Sequence, residues 1–454
     1  MINKLKGYVK EPFYALLFML LVVYVGAPPF LREYTGVFRK LALVWACILL
    51  AVYFCKNYRN YLNKYSGLLF LLCVSYGITI LVNYHNKLSS NIFSYAYFLV
   101  TLLLFFNVFQ HRDKITSKKY ISIFMKLNVF ATFVFAVIAL VMFCFNIVGF
   151  YETDTGIQHY GLYENRLWGL FNPNIGGMNA LIAIAFSLFL YKENKKKFYV
   201  VSIVIEYIYL ILTQSRSALL SFFAFIIIFI VFVLIGKEKF FVKGKKPFLL
   251  NIGKLVCIVA ILLVSVPIVK NVVVIIPNTY IALNSSDSQK QKEEDVRVKL
   301  ARIENFEEDN ADNLSNGRIG IWKAGVKVWK TSPIFGVGLH NVYEDVKGYL
   351  DKGTAQAVRN GSMHNVYITT LVSSGVMGAA VFLVFLVIVV WSFIKYLFTG
   401  QNTEKKILMG LIFALMLGDC LESRIIFSTS NICFIFWTIC GYLIFYEGEE
   451  HVSV

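Results

Sequence analysis

Two arginines and a histidine lie where polar segments meet long apolar segments. Arg216 stands in the sequence TQSRSALL, Arg318 in NGRIGIW and His364 in HNVY. A guanidinium group can hold two phosphate oxygens at once, because its donors form a fork of matching geometry. A histidine side chain has an unperturbed pKa of about 6.5, which suits general base chemistry at neutral pH. These residue types therefore indicate a site for an anionic substrate and a proton acceptor.

Each of these residues also has a structural interpretation. An arginine at a membrane edge, such as Arg216, can anchor a helix by reaching the lipid headgroups. A single histidine is more often structural than catalytic, although His364 lies where a polar loop re-enters the membrane. Arg318 is near a predicted helix N-terminus, where the macrodipole favours acids. An anionic ligand held by Arg318 and the free N–H groups explains that position better.

Weaker candidates for substrate contacts occur in the same polar segments. They are Arg166, Asn174, Trp322, His340, Asn365, Tyr367 and Glu422. Trp322 and Trp329 are more typical of a loop core than of sugar-stacking platforms, and Glu422 could either pair with Arg424 or contact a substrate. The sequence has no HExxH motif, no DxD in an outer loop and no carboxylates at ligand spacing. We therefore expect no metal and no cofactor, with arginines supplying the positive charge.

Composition identifies the class of protein that carries these residues. The chain has 454 residues, of which 58% are hydrophobic and only 16% charged. Soluble domains have about a quarter of charged residues. The apolar residues also occur in blocks close to the ~20 residues that a helix needs to cross a bilayer. These features predict an all-α polytopic membrane protein. The eight cysteines lie in or beside the apolar blocks and form no disulfide framework or CxxC pattern.

The apolar blocks predict twelve spans and three regions. The spans are 12–29, 37–55, 66–82, 91–110, 121–149, 173–191, 198–214, 217–235, 251–276, 366–394, 406–420 and 427–446. The first is interpreted as a retained span, since no small-x-small cleavage site precedes Pro28-Pro29. Residues 1–276 then form a bundle of nine spans, 277–365 a loop, and 366–454 a bundle of three spans.

Basic residues predict the orientation. With the N-terminus in the cytoplasm, the cytoplasmic segments hold 22 Lys and Arg residues, and the short opposite segments hold 7. This bias places both termini inside and the loop 277–365 outside. The net charge of +17 does not indicate nucleic acid, because the Lys and Arg residues recur in short clusters between apolar blocks.

The long outer loop has its own helical pattern. Val296, Leu300 and Ile303 predict one face of an amphipathic helix within 284–309. A second helix is predicted from an N-cap at Ser315-Asn316 to Ser332-Pro333, with Ile319, Trp322, Val326 and Trp329 on one face. A turn is expected at GVG, residues 336–338. A second outer loop, 150–172, is longer than a tight turn requires.

Four motifs in this order resemble the O-antigen ligase/polymerase superfamily of bacterial envelope glycosyltransferases. RSALL at 216–220 resembles the family's RxxxL motif, and HNVY at 364–367 its H(N/S)xY motif. NGRIGIWKA from 316 with PIFGVG at 333–338 resembles its (S/N)GR…W…PxxGxG stretch, and FNPN at 171–174 a motif before a mid-chain span. The resemblance covers about residues 160–375, and it includes a large outer loop between spans nine and ten.

The resemblance implies a GT-C-like fold and a specific chemistry. The donor would be a glycan on undecaprenyl diphosphate at the outer face of the bacterial cytoplasmic membrane. An acceptor glycan or lipid-linked repeat would attack with inversion, Arg216 and Arg318 would hold the diphosphate, and His364 would orient or deprotonate the acceptor hydroxyl. Membrane lipid, a chain-length regulator and a flippase are the implied partners.

The sequence leaves the acceptor open. A polymerase extends another carrier-linked repeat, whereas a ligase uses lipid A core, a protein or a wall glycan. Richness in Lys, Ile, Asn, Tyr and Phe indicates an AT-rich genome and favours a Gram-positive source without lipid A, and hence a polymerase. A transporter is the alternative from another class, but the spans show no repeated halves and the polar groups gather on one side. A structural membrane protein with an inert loop would not need this convergence of residues.

Overall fold

The structure is a computed structural model that describes residues 7–153, 156–241, 245–284, 298, 300 and 317–446. Each predicted span corresponds to a helix or to consecutive helices in this part of the chain. The α-helices of ten or more residues are α1 (Pro12–Val25), α2 (Arg32–Asn57), α3 (Lys64–Val82), α4 (Leu88–Leu99), α5 (Lys114–Cys144), α6 (Pro173–Asn194), α7 (Lys197–Thr213), α8 (Arg216–Phe229), α9 (Lys245–Val273), α10 (Ile275–Asn284), α11 (Arg318–Trp329), α12 (Val366–Thr399), α13 (Thr403–Gly418) and α14 (Asn431–Phe445), and shorter ones lie at Lys237–Phe240, Val342–Val346 and Lys352–Ala357.

These helices confirm a polytopic helical membrane protein. Eight segments of the described chain are long and apolar enough to cross a membrane, and α1 and α14 are shorter apolar helices. The other two predicted spans, the seventh and the eleventh, correspond to α7 and α13, which have 17 and 16 residues. The predicted tight turn between spans seven and eight is present, since α7 ends at Thr213 and α8 begins at Arg216.

Two spans depart from single α-helices with the predicted ends, and several others begin or end a few residues away from the predicted bounds. The ninth span does not end at 276, because α10 continues the apolar helix to Asn284. The fourth span changes its winding after α4, through a π-helical segment at Val100–Phe105 and a 3-10 segment at Phe106–Phe109. Burial also varies strongly among the spans. The most apolar stretch of α9 and α10 is not buried against the rest of the protein, whereas α6 and α14 lie in its core.

A small antiparallel sheet occupies the outer segment for which the sequence predicted only a loop. Its strands are β1 (Val148–Thr153), β2 (Gly156–Tyr163) and β3 (Arg166–Gly169), in the order β1-β2-β3. Glu164 and Asn165 join β2 to β3 with φ values of 49° and 57°. Two consecutive residues with positive φ suit the twist of a two-residue hairpin. The hairpin places Arg166 at the start of β3, which packs against α5, α6 and α7.

The long loop predicted at 277–365 contains α11 near the predicted position, but its buried face differs. The N-cap is Gly317, with φ 72°, and the cap predicted at Ser315-Asn316 lies outside the described residues. A left-handed residue stops the helix from extending further toward the N-terminus. The buried residues of α11 are Ile321, Ala324, Gly325 and Val328, whereas Val326 is exposed. Trp322 and Trp329 pack at the edge of this core. The amphipathic helix predicted within 284–309 lies almost entirely outside the described residues.

The GVG turn fixes the loop against the membrane bundle. Gly336 and Gly338 have φ values of 71° and 83°, which confirms the turn. Val337 N and Gly338 N donate to the carbonyls of Val372 and Ser373, beside a kink in α12 at Gly375. A Cβ atom at Gly336 would lie 2.5 Å from Gly375 N, so only glycine permits this approach. The turn therefore holds α11 close to the start of α12.

Candidate active site

A buried glutamate joins three separate segments at one end of the bundle. Glu422 lies between α13 and α14, and its side chain is 5% exposed. Arg318 Nη2 is 3.1 Å from its Oε1, and Arg424 Nη2 is 3.1 Å from its Oε2. His364 Nδ1 is 3.4 Å from Oε2. One carboxylate therefore contacts Arg318 at the start of α11, His364 just before α12, and Arg424 in the same turn as Glu422 itself. These four residues are called the Glu422 cluster below.

Asn174 connects this cluster to the sheet. Its Nδ2 donates to Glu422 Oε1 at 2.9 Å, and its Oδ1 accepts from Arg166 Nη2 at 2.9 Å. Arg166 Nε in turn donates to the carbonyl of Thr213 at 3.0 Å, at the end of α7. Pro173 occupies the first turn of α6, and the Asn172 side chain caps that helix by accepting from Asn174 N. Local helix capping thus places Asn174 beside Glu422.

Arg216 begins α8 immediately after the turn that Arg166 contacts. Its helix is capped by Ser215, whose Oγ accepts from Ala218 N, and Arg216 itself is exposed. Burial lowers the pKa of Arg318, the charge of Glu422 raises it, and the charges of Arg424 and Arg216 lower it. Arg216 is therefore near enough to interact electrostatically with Arg318. The same end of the bundle therefore holds Arg166, Arg216 and Arg318.

Glu422 is held in its ionised form by its neighbours. Burial raises the pKa of Glu422, but the charge of Arg424, the hydrogen bond and charge of His364, and the charge of Arg318 lower it more strongly. The net result is a pKa of about 2. An ionised carboxylate at this position neutralises part of the surrounding positive charge and fixes the orientation of two guanidinium groups.

His364 is constrained in both backbone and ring. Its φ of 47° lies in the left-handed region, which is unfavourable for residues other than glycine. Nδ1 faces Glu422 Oε2, and Nε2 lies 3.2 Å from the carbonyl oxygen of Ala357. Both of these oxygens only accept hydrogen bonds, whereas a neutral imidazole donates from one nitrogen. A hydroxyl group can reach Nε2 by replacing the Ala357 carbonyl.

Several predicted site residues position the segment that carries His364. Asn365 Oδ1 caps α12 by accepting from Tyr367 N and Ile368 N, and its Nδ2 donates to the Cys420 carbonyl. Trp322 Nε1 donates to the carbonyl of Met363 at 3.0 Å. Tyr367 lies half-buried in the first turn of α12, on the side of Cys420.

His340 does not join the other candidates. Its Nε2 is 2.6 Å from Ser94 Oγ, and its backbone N–H donates to Asn91 Oδ1, so it packs against α4. Burial and the charge of Lys87 lower its pKa. The structure therefore separates His340 from the Glu422 cluster, while it brings Arg166, Asn174, Arg318, His364 and Glu422 together.

The sequence named Arg424 only as an alternative partner of Glu422, and the structure shows this pairing. Asp419 is a neighbour of the cluster that the sequence did not single out. Arg424 Nη1 donates to the Asn174 carbonyl at 2.7 Å, in addition to its contact with Glu422. Asp419 Oδ2 accepts from the backbone N–H groups of Arg424 and Ile425. The available signal was the charged sequence DCLESR between two apolar segments. In the described chain, no group of three or more His, Cys, Asp or Glu side chains could hold a metal ion.

Comparison with known families agrees with the motifs. The O-antigen ligase family model matches residues 201–383, which include Arg216, Arg318 and His364. The match confirms the predicted resemblance to the O-antigen ligase/polymerase superfamily over this part of the chain. The family implies a ligase-type or polymerase-type glycosyl transfer by a multi-pass membrane protein. A search of curated proteins finds no relative with significant similarity. Four residues of the site lie outside the matched segment, and the fold places them beside its residues. They are Arg166, Asn174, Glu422 and Arg424.

Proposed function

We propose that this protein is a polymerase of oligosaccharide repeat units linked to undecaprenyl diphosphate. It builds a capsule, O-antigen or exopolysaccharide at the outer face of the bacterial cytoplasmic membrane, with both termini in the cytoplasm. The observation that supports this proposal is the convergence of arginines, a histidine and Glu422 at the outer ends of the helices. Guanidinium groups gathered at one end of the bundle are suited to a diphosphate, because each can hold two phosphate oxygens.

The reaction is a single displacement that needs no metal. The acceptor hydroxyl oxygen bonds to the anomeric carbon of the donor, and the bond from that carbon to the diphosphate oxygen breaks. The leaving oxygen keeps the electron pair, and the hydroxyl proton passes to His364. The anomeric centre inverts. Because a diphosphate is already a good leaving group, positioning and charge stabilisation carry most of the catalysis.

The arginines have separate tasks in this proposal. Arg216, which is exposed at the start of α8, and Arg318 bind the diphosphate and stabilise its growing charge. Glu422 keeps Arg318, Arg424 and His364 in fixed positions. A proton on Nδ1, held by Glu422, leaves Nε2 to accept the hydroxyl proton once the substrate has displaced the Ala357 carbonyl. If Nε2 stays bonded to Ala357, His364 only orients the acceptor.

Two variants test this scheme. Arg216→Ala and His364→Ala are compared with the wild type in membranes supplied with the lipid-linked repeat, at matched protein levels. We expect little or no chain growth in either variant. Near-normal growth in one of them would remove that residue from the scheme.

The ligase is the second candidate, because the matching family model is described as an O-antigen ligase. It would transfer the finished glycan to lipid A core, a protein or a wall acceptor. The two are separated by the glycans of a strain that lacks this protein. Single repeats on the carrier or on the acceptor mean that polymerisation is lost. Long chains on undecaprenyl diphosphate with a bare acceptor identify a ligase, and an unchanged ladder contradicts both proposals.

A transporter or flippase is tested by the same membranes. Chain growth from added lipid-linked repeat without an ion gradient requires an enzyme. The absence of growth, together with movement of the labelled lipid across the bilayer when a gradient is applied, would favour transport.

A further inference from the structure

A second polar space adjoins the Glu422 cluster on its outer side. This cavity has a volume of about 550 Å³, within the range of ~300–1,000 Å³ typical of ligand sites. Its walls come from the sheet, the facing ends of α1 and α2, the start of α6, the segment 356–360 and residues 428–431. It is called the outer cavity below. The cavity has no role in the displacement reaction described above.

The outer cavity shares two walls with the Glu422 cluster. Asn172 lines the cavity, and its Oδ1 accepts from the backbone of Asn174, whose side chain binds Glu422. On the opposite side, Gln356 lines the cavity and precedes Ala357, whose carbonyl contacts His364 Nε2. A ligand in the cavity therefore lies within one or two residues of the groups assigned to transfer.

Three arginines give the outer cavity its charge. They are Arg32, Arg39 and Arg359, and no aspartate or glutamate is among its described lining residues. Arg39 Nη2 donates to the Gly26 carbonyl at 3.2 Å, while its Nε is buried and has no hydrogen-bond partner in the part of the chain that the structure describes. Arg32 is near enough for its charge to act on Arg39. Like charges at a cavity wall are costly unless an anion binds between them.

The uncharged lining is of the kind that contacts sugars. Gln158, Gln356 and Asn360 offer amide groups, which both donate to and accept from hydroxyls. His159 stacks on Tyr163 at 3.4 Å, and the edge of Trp168 lies 5.8 Å from the His159 ring. His159 and Trp168 both line the cavity and provide flat apolar surfaces. This combination of amides, rings and arginines fits an oligosaccharide better than a lipid headgroup.

We propose that the outer cavity is a glycan subsite that binds a sugar residue carrying a negative charge, on a carboxylate or a phosphate. The position of the bound glycan relative to the reaction rests on the proposed function, whereas binding itself does not. The subsite makes acidic repeat units the preferred substrate class, because a negatively charged sugar can pair with the guanidinium groups of the lining and a neutral sugar cannot.

The test is direct binding to the full chain in nanodiscs of phosphatidylcholine. The probes are a hyaluronan tetrasaccharide with carboxylates, maltotetraose 6-phosphate, and neutral maltotetraose, and calorimetry measures their dissociation constants. We expect at least one charged probe to bind tenfold or more tightly than maltotetraose. The probe that binds identifies the charged group. Equal or undetectable binding of all three probes would overturn the proposal.

Arginine variants locate the binding. Arg32 and Arg359 are exposed at the cavity, so the double variant R32Q/R359Q is expected to fold and to lose the preference for the charged probe. Lys40 is exposed on α2 and does not line the cavity, and K40Q is the matched control that keeps the preference. An unchanged preference in R32Q/R359Q would overturn the assignment to this cavity. If the double variant is unstable, two other measurements decide: binding of the charged probe to R39Q, and binding to the wild type at increasing salt. A dissociation constant that changes in neither measurement contradicts the proposal.

Two further outcomes separate the possible failures. Retention of phosphatidylglycerol that depends on Arg32 and Arg359, without binding of sugars, would make the cavity a lipid site and overturn the proposal. The charged probe is also measured with H364A, which is expected to bind it but not to extend chains. If the wild type binds the charged probe but makes no polymer, the proposed function is refuted and the subsite stands. If the wild type makes polymer but does not prefer the charged probes, the subsite is refuted and the proposed function stands.

Discussion

Two arginine–glutamate contacts lie at opposite ends of the bundle. At the end that the proposed orientation places in the cytoplasm, here the inner end, Arg112 pairs with Glu11, donates to the Val108 carbonyl and lies 5.0 Å from the centre of the Tyr120 ring. At the opposite end, here the outer end, Arg318 pairs with Glu422. The arginine side chains have similar exposure, 16% for Arg112 and 17% for Arg318. The two regions differ in how many side chains share the carboxylate.

The inner pair joins one guanidinium to one carboxylate. The outer carboxylate is shared by Arg318, Arg424 and His364, and Asn174 links it to Arg166. Removing one partner of a buried pair is strongly destabilising, because the other charge is left buried and unpaired. A change at Glu422 therefore affects several side chains of the site at once. This shared carboxylate, rather than the presence of an ion pair, distinguishes the outer end.

His364→Ala is expected to give the largest difference between the two ends. Loss of a general base lowers rates by about 10²–10⁴-fold. A separate cavity at the inner end is lined by Glu11, His111 and Arg112. His111→Ala is therefore the control, and we expect it to retain activity. Incorporation of labelled lipid-linked repeat into polymer, at matched protein level, measures both. Similar losses in the two variants would show that the difference between the ends is not catalytic.

Glu422→Gln is expected to lower both stability and activity, because it leaves buried cations without their counter-ion. Breaking a buried pair costs about 3–5 kcal/mol, so the midpoint of thermal unfolding should fall clearly. Activity should fall by about tenfold or more as Arg318 and His364 lose their common partner.

The acid dependence of stability sharpens the same test. Glu422 has a folded-state pKa of about 2, below its ordinary value of 4.5. Its stabilisation is therefore present above about pH 4.5 and is lost as the pH falls toward about 2. Thermal unfolding across this window should show a decline in the wild type that is smaller in E422Q. Parallel profiles would contradict the role of Glu422 as an ionised hub.

Arg424→Lys is expected to have an intermediate effect. Arg424 donates to the Asn174 carbonyl from Nη1 and to Glu422 from Nη2, and a lysine ammonium cannot reproduce this fork. We expect about a tenfold loss of transfer. Arg112→Lys makes the same change at the inner end, where the lost fork contacts Glu11 and Val108 instead of the site. It should therefore leave the transfer rate within about twofold of the wild type. An equal loss in both variants would mean that arginine geometry matters generally, rather than at the outer site.

Trp322→Phe is expected to have the smallest effect. It removes the hydrogen bond from Nε1 to the Met363 carbonyl, which precedes His364. A loss of about 1 kcal/mol in positioning corresponds to about a fivefold loss in rate. Trp329→Phe removes an equivalent bond to the Pro333 carbonyl, away from His364. The two variants should have similar thermal stability, and only W322F should lose activity. Equal activity would limit Trp322 to the packing of α11.

The sequence by itself determined the membrane class, the positions of the helices and the segment with the family motifs. These features depend on local properties: the length of an apolar block, a glycine pair that permits the turn at 336–338, and residue types at fixed spacing. It did not predict the sheet at 148–169, because its hairpin residues, Glu164-Asn165, lack the Asn-Gly pattern that gives the strongest hairpin signal.

Only the tertiary structure decided which candidates meet. Arg318 and Glu422 are 104 residues apart in sequence, and Asn174 and Glu422 are 248 apart. No local pattern encodes such contacts, because they depend on how the helices pack and where their ends are placed. The same packing places Arg424 beside Glu422 and Asn174, and it places His340 against α4. The sequence supplied the charged groups, and the fold determined which of them share one carboxylate.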